Sequence, residues 1–284
     1  MGNLFSDDFL KAVTGIQESV KNALTPVIDF QISMRKTFLD ITQSEGFINL
    51  RKSFAELGNQ LREAAEEVDQ FRTIIVELGY PPHESLPISD MRMIVQDYNE
   101  HGVEYVRKYI DSLMEDIYDD AYIEELTMEW ESKELVSDRI PILRTAVRCH
   151  KQQAYYASVP TLLPQLEGTI AKGFKQDEYM TQKHLKVYLK KLLKVKNPED
   201  KYLSFEDALE TYYLQYILVP FEHGQDVESD ISRHAILHGG YVEYGHRNIS
   251  LKLILLYDFL LSTLSNLSEE TIRDAKEEIY NKKK

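Results

Sequence analysis

Apolar residues recur at helical spacing along most of the chain. From Phe5 to Leu24, the residues Phe9, Val13, Ile16, Val20 and Leu24 fall three or four apart, on one face of a helix. Thr25-Pro26 reads as a cap followed by the first residue of a new helix. That helix runs with interruptions to Leu78, carrying Ile28, Ile32, Phe38, Ile41, Phe54, Leu57, Leu61, Val68 and Phe71, and Gly46 and Gly58 are places where it can break. Gly79-Tyr80-Pro81-Pro82 through Leu86-Pro87 is the clearest loop. A helix follows from about Ser89 to Tyr118, with Ser89 and Asp90 as caps, then an acidic segment from Glu115 to Glu134 that contains Trp130. Ile140-Pro141 marks another start.

In the last third, a helix from about Gln152 carries Tyr155, Val159, Leu162, Leu163, Leu166 and Ile170 and stops at Gly173, with Pro160 and Pro164 expected to kink it. A Lys-rich amphipathic helix covers His184 to Val195, another covers Ser204 to Val219, and a strongly apolar one runs from about Asn248 to Leu264. Stripes of this kind are core first, because burying such a face is what stabilises a helix. Docking on a partner is the other reading for the first of them.

Composition agrees with an all-α fold: only 12 Gly and 9 Pro occur in 284 residues, too few for many short strands joined by turns. A chain of this length accommodates two helical units. The boundaries read from the sequence are a helical N-terminal unit over 1–140, a second domain over 141–267 and a charged C-terminal tail over 268–284. The single Cys, Cys149, excludes an intramolecular disulfide and a Cys-rich zinc site. Together with the lack of an apolar run of membrane-spanning length, it points to a cytoplasmic protein without a membrane partner. A formal net charge of −14 argues against broad, non-specific nucleic-acid binding, because phosphate contacts need cations. A local basic site is still compatible with it.

One stretch carries recognisable chemistry: Glu228-Ser229-Asp230-Ile231-Ser232-Arg233-His234-Ala235-Ile236-Leu237-His238-Gly239-Gly240. Within it Arg233 is followed, after four residues that begin with the polar His234, by His238. This resembles the HEPN superfamily signature. The resemblance extends to Tyr244-Gly245, Asn248 and the apolar helix Leu251 to Leu260, and upstream to Ser158 through Gly168, which looks like that group's first core helix. It covers roughly residues 145–267; nothing comparable is found over 1–140. The resemblance implies a four- or five-helix bundle that forms a homodimer and cleaves RNA without a metal or cofactor.

The residues themselves suit that chemistry. An imidazole exchanges a proton near neutrality, and a guanidinium offers a fixed fork of donors to phosphate oxygens as charge accumulates. Those two roles suffice for a ribose 2′-hydroxyl to attack its own phosphate. Positions five apart on a helix lie about 140° from each other, so one protomer does not aim both side chains at one atom; a twofold axis brings the same patch from two copies together. Gly239-Gly240 reads as a helix stop that leaves His238 at a helix C-terminus, where the dipole favours its protonated form. His238 then suits the acid, and the opposite assignment remains open.

The catalytic set is therefore Arg233, His238 and His234, with Glu167, Ser232, Tyr241, Tyr244, Arg247 and Asn248 as supporting or RNA-contacting candidates and no metal ligand. The plainer readings stand beside it: Arg233 as the ion-pair partner of Asp230 or Glu167, His238 as an ordinary structural histidine, and the Lys face from Lys183 to Lys194 as a solvated surface. The expected function is a HEPN-type endoribonuclease of phage defence, abortive infection or a toxin–antitoxin response, governed by an antitoxin or a phage-derived trigger. The alternative is a catalytically inactive HEPN module that binds RNA, a nucleotide or a partner protein. HEPN toxins silenced by a partner nucleotidyltransferase carry a Tyr two places after the His; Gly240 stands there in this chain, which puts that form of control in doubt.

Overall fold

The computed structural model describes residues 65–83, 85–192 and 205–282, together with six scattered helical positions between Ser33 and Ser53. The helices expected over 5–24 and over most of 26–78 lie outside the described residues, as do residues 193–195 at the end of the Lys-rich helix. What is described is helical without a strand. The elements are α1 (residues 65–77), α2 (Ile88–His101), α3 (Val103–Arg107), α4 (Ile110–Ile117), α5 (Asp120–Glu131), α6 (Ile140–Lys151), α7 (Tyr155–Gly173), α8 (Gln182–Leu192), α9 (Phe205–Tyr212), α10 (Arg233–Leu237), α11 (Arg247–Ser265) and α12 (Glu269–Lys282).

Several starts and stops follow the sequence. Pro141 stands in the first turn of α6, and Thr181 caps α8 by accepting from the His184 amide at 3.2 Å. Asp119 caps α5 through the Tyr122 amide at 2.8 Å. Others differ. The single helix expected from Ser89 to Tyr118 is broken at Gly102, whose φ of +83° suits glycine alone. Ser89 and Asp90 are not its caps, since α2 begins at Ile88 without a side-chain cap. α7 starts at Tyr155 and runs through both Pro160 and Pro164. After Tyr212 the chain widens into a π-helical turn, Tyr213–Ile217.

The domain boundary differs too. The chain divides into compact units after Glu63, and Ala64–Lys284 forms one of them. Residue 140 is no break in packing: Phe71, Tyr80, Met114, Tyr118 and Trp130 share one core with Leu162, Leu166, Tyr188, Leu253 and Tyr257. The segment expected as a charged tail forms α12. Its Ile272 and Ala275 are buried, and Glu278 pairs with Lys191 of α8 at 3.2 Å.

The centre of this unit is α11, packed along α7. By length and composition it is apolar enough to cross a bilayer, but most of it is buried within the protein. Beyond Arg247 at its first position, two charged side chains lie within it. Lys252 places Nζ 3.1 Å from Asp230 and 5.0 Å from the centre of the Tyr80 ring. Asp258 accepts from Trp130 Nε1 at 2.7 Å and pairs with His83 at 3.0 Å. Where α6, α7 and α11 meet, His150 Nδ1 bonds Ser250 at 2.8 Å, and Ser250 bonds Ser158 at 2.8 Å.

Two expectations follow. A fragment of residues 141–284 loses about a third of the shared core and gives no cooperative melt by circular dichroism, whereas 64–284 melts cooperatively; a sharp transition in the shorter fragment contradicts the single core. Burial also pushes the His150 imidazole down to about 4 from its ordinary 6.5. A depressed imidazole contributes stability that is complete above the unfolded value and is lost as pH falls toward the folded one. Melting temperature therefore drops between pH 6.5 and 4, with up to about 3 kcal/mol at stake. His150→Gln, which retains a partner for Ser250 but does not titrate, flattens that slope, and an unchanged slope places the acid sensitivity elsewhere.

Candidate functional site

Local contacts set both ends of α10. Ser232, buried, caps it by accepting from the Ala235 amide at 3.3 Å. At the other end Gly239 takes φ +73°, its amide reaches Ile236 O at 3.1 Å and the Gly240 amide reaches Ala235 O at 2.8 Å. This paired closure is the Schellman arrangement that the Gly-Gly pair predicts. His238 is the C-terminal cap residue. Gly240 is also required by packing: a Cβ there would lie 1.7 Å from the Phe221 ring. Any side chain at that place, the Tyr of the partner-silenced toxins included, forces Phe221 to move.

The two halves of the Arg–His pattern face different surroundings. Arg233 Nη2 lies 2.8 Å from Glu167 of α7, both side chains being about one-fifth exposed. Of the two carboxylates the sequence offered Arg233, Glu167 is thus the partner; Asp230 holds Lys252 instead. Burial raises the Glu167 carboxyl and Arg233 opposes that shift. Tyr213, in the π-helical turn, is fully buried; burial raises its hydroxyl, Glu167 adds to the rise and Arg233 counters it. Among the described residues, neither the Tyr213 hydroxyl nor Arg233 Nε has a hydrogen-bond partner. Unpaired buried polar atoms are uncommon, and π-helical turns recur at functional sites.

A cavity of about 450 Å³ opens beside this ion pair, lined by Glu167, Gly168, Tyr179, Gln182, Arg233 and His234 among others. His234 hydrogen-bonds the Gln182 side-chain amide. Its pKa is lowered, first by burial and then by Arg233 and His238, so the neutral imidazole, the form able to take a proton, is favoured. His238 is exposed and outside the cavity. Its ring lies parallel to that of His234, with centroids 5.9 Å apart. Within one protomer Arg233, His234 and Glu167 therefore converge, while His238 stands at the rim of the same helix.

The remaining candidates have structural engagements. Arg247 sits 3.8 Å from Glu115 and 3.7 Å from Asp120, and Asn248 donates to Asp111 at 2.9 Å. Tyr244 packs edge-on against Tyr156 at 5.3 Å. Tyr241 is half-buried against the core. On the Lys face of α8, Lys191 is drawn to Glu278. Sequence reasoning missed Tyr213, Gln182 and Tyr179: a Tyr in an apolar helix reads as core, and no local pattern marks the turn before α8 as a cavity wall. Among the described residues, no cluster of three or more His, Cys, Asp or Glu suits a metal ion.

No protein-family model, curated protein or solved structure matches this chain.

Replacing Arg233 exposes the cost of its carboxylate partner. A carboxyl whose folded pKa is raised above its ordinary 4.5 contributes stability below that value and loses it as pH rises through the raised one. Arg233→Ala removes the opposing cation and pushes Glu167 higher. The variant should match the parent near ~pH 4 and fall behind by about 1–3 kcal/mol at neutral pH. Adding Glu167→Gln should recover most of the loss. Thermal melts over that range test this; a deficit independent of pH means that Arg233 contributes by packing alone.

Proposed function

We propose that the chain is an endoribonuclease of HEPN type that cleaves RNA by 2′-hydroxyl attack without a metal, acting in phage defence, abortive infection or a toxin–antitoxin response. The observation that carries this reading is the make-up of α10. Arg233 is held at a cavity by a half-buried carboxylate, His234 beside it is disposed to be neutral, and His238 is exposed at the end of the same short helix. Arg233 binds the scissile phosphate and stabilises its added charge. His234 or His238 takes the 2′-proton and the other returns one to the leaving 5′-oxygen. Because His238 is outside the cavity of its own protomer, a twofold pairing of α10 with a second copy supplies the missing side of the site.

The Arg233–Glu167 pair and the Tyr179 and Gln182 walls also suit a binding module for a nucleotide-sized ligand, with Arg233 on a phosphate and no cleavage.

The deciding experiment incubates mixed single-stranded RNA with the full chain in EDTA, beside Arg233→Ala, His234→Ala and His238→Ala. Cleavage to cyclic-phosphate and 5′-hydroxyl ends is expected, reduced at least about a hundredfold by Arg233→Ala and His238→Ala. DNA of the same sequence stays intact. No cleavage by a verified dimer, with RNA or a nucleotide still bound in an Arg233-dependent way, assigns the binding module instead.

A further inference from the structure

A second constellation lies apart from α10, in the loop between α1 and α2. Ser85 Oγ is 2.7 Å from His83 Nδ1, and His83 Nε2 is 3.0 Å from Asp258 Oδ2. The other carboxylate oxygen, Oδ1, accepts from Trp130 Nε1 at 2.7 Å. A carboxylate only accepts hydrogen bonds, so Nε2 carries a proton, and in the neutral ring Nδ1 holds the lone pair that faces the serine hydroxyl. That is the connectivity of a nucleophile, a base and an orienting acid, with the two ring nitrogens exchanged relative to the serine-protease arrangement.

Burial is distributed as such a relay requires. His83 is 6% exposed and wedged edge-on against Tyr118, which holds the ring in one plane. Asp258 is fixed from the opposite side by the buried indole of Trp130. Ser85, by contrast, is exposed. Its Oγ also lies within donating distance of the Tyr118 hydroxyl at 3.5 Å, which burial keeps protonated and which itself stands 3.4 Å from His83 Nδ1. A purely structural staple for the loop would be complete with His83, Asp258 and Trp130; it does not need an accessible hydroxyl at the open end of the imidazole.

We propose that Ser85 is a nucleophile activated by His83 and positioned through Asp258, acting on small carboxylic esters with an uncharged acyl group. The acyl preference follows from the surroundings. Tyr122 offers apolar ring surface next to Ser85, while Asp258, Glu125 and Glu129 place negative charge around Tyr122 and disfavour an anionic acyl group. As the Oγ–carbon bond forms, the hydroxyl proton passes to His83 Nδ1 and the carbonyl π pair moves onto oxygen. Collapse expels the alcohol, which leaves with that proton, and Ser85 is acylated. Water then attacks the acyl carbon and gives its proton to Nδ1, from which departing Oγ regains one. The sum is ester plus water to acid plus alcohol, and Asp258 acts only through His83.

The test uses the full chain. A fluorophosphonate probe followed by peptide mapping should place the adduct on Ser85, and p-nitrophenyl acetate should be hydrolysed in a way that Ser85→Ala abolishes. His83→Gln and Asp258→Asn should slow labelling at least tenfold. Because both also touch the loop's buried contacts, Ser85→Cys supplies an independent reading. The thiol it introduces keeps the relay intact and should react with iodoacetamide at least tenfold faster than Cys149 in the same molecule. An unlabelled Ser85 in the folded chain, or an introduced thiol no faster than Cys149, overturns the proposal, and so does a labelling rate indifferent to His83 in variants that melt like the parent. None of these outcomes depends on RNA cleavage at Arg233.

Discussion

Everything in the compact unit depends on two charges set into its most apolar helix. Nearly all of α11 is surrounded by protein, and an unpaired ion there would lose several kcal/mol of hydration. Lys252 and Asp258 therefore dictate what must be near them. Lys252 draws in Asp230 and the face of Tyr80; Asp258 draws in His83 and Trp130. Tyr80 and His83 belong to one loop, so both charges fasten the α1–α2 connection to the far end of the sequence. Tyr212 and Tyr216 add to this, donating to the carbonyls of Gly79 and Val76. Removal of apolar surface from water drives the packing of α11, but the polar partners that Lys252 and Asp258 require select its neighbours.

The geometry of the Arg233 site follows from the same constraint. Asp230, held by Lys252, is followed by buried Ile231 and buried Ser232, and Ser232 caps the helix whose first residue is Arg233. Arg233 thus starts its helix three residues after an anchored ion pair. Glu167 is placed independently, by α7 lying along α11. Two separate attachments to one core helix converge on a single ion pair, so Arg233 is preorganised. His238, beyond the last turn and next to a left-handed glycine, has no such attachment. An arrangement with one rigid and one open member is what a site completed by a second surface would need, which is why the proposal gives the two residues to different halves of a dimer.

How far this could be read from the sequence depended on the range of the forces involved. Local features were legible: the α7 and α11 stripes, Pro141 at the start of α6, the Gly239-Gly240 stop and its consequence for His238. The Glu167–Arg233 pair was named as one of two options, and charge alone could not separate it from Asp230, because the choice was made by Lys252. Illegible were the features that depend on distant partners. His83 and Asp258 are 175 positions apart, and nothing near either announces the other. Arg247 and Asn248 looked free beside the motif, yet they are committed to carboxylates on α4 and α5. The boundary at residue 140 failed for the same reason, since buried Trp130 within an acidic run belongs to the core of the helices that follow.

The Arg233–Glu167 pair also bears on how a ribonuclease could be built on so acidic a chain. A phosphodiester and a carboxylate each carry one negative charge, so an incoming RNA must displace a partner already in place, and the net Coulomb gain is small. Glu167 moderates this barrier. Burial disfavours its charged form, so on the ribonuclease reading Glu167 takes a proton more readily than a solvated carboxylate would once a phosphate draws Arg233 away. The ion pair then keeps Arg233 extended and aimed while the site is empty, and yields when a phosphate with further contacts competes. On the ribonuclease reading, selectivity thus starts with the carboxylate that occupies the site.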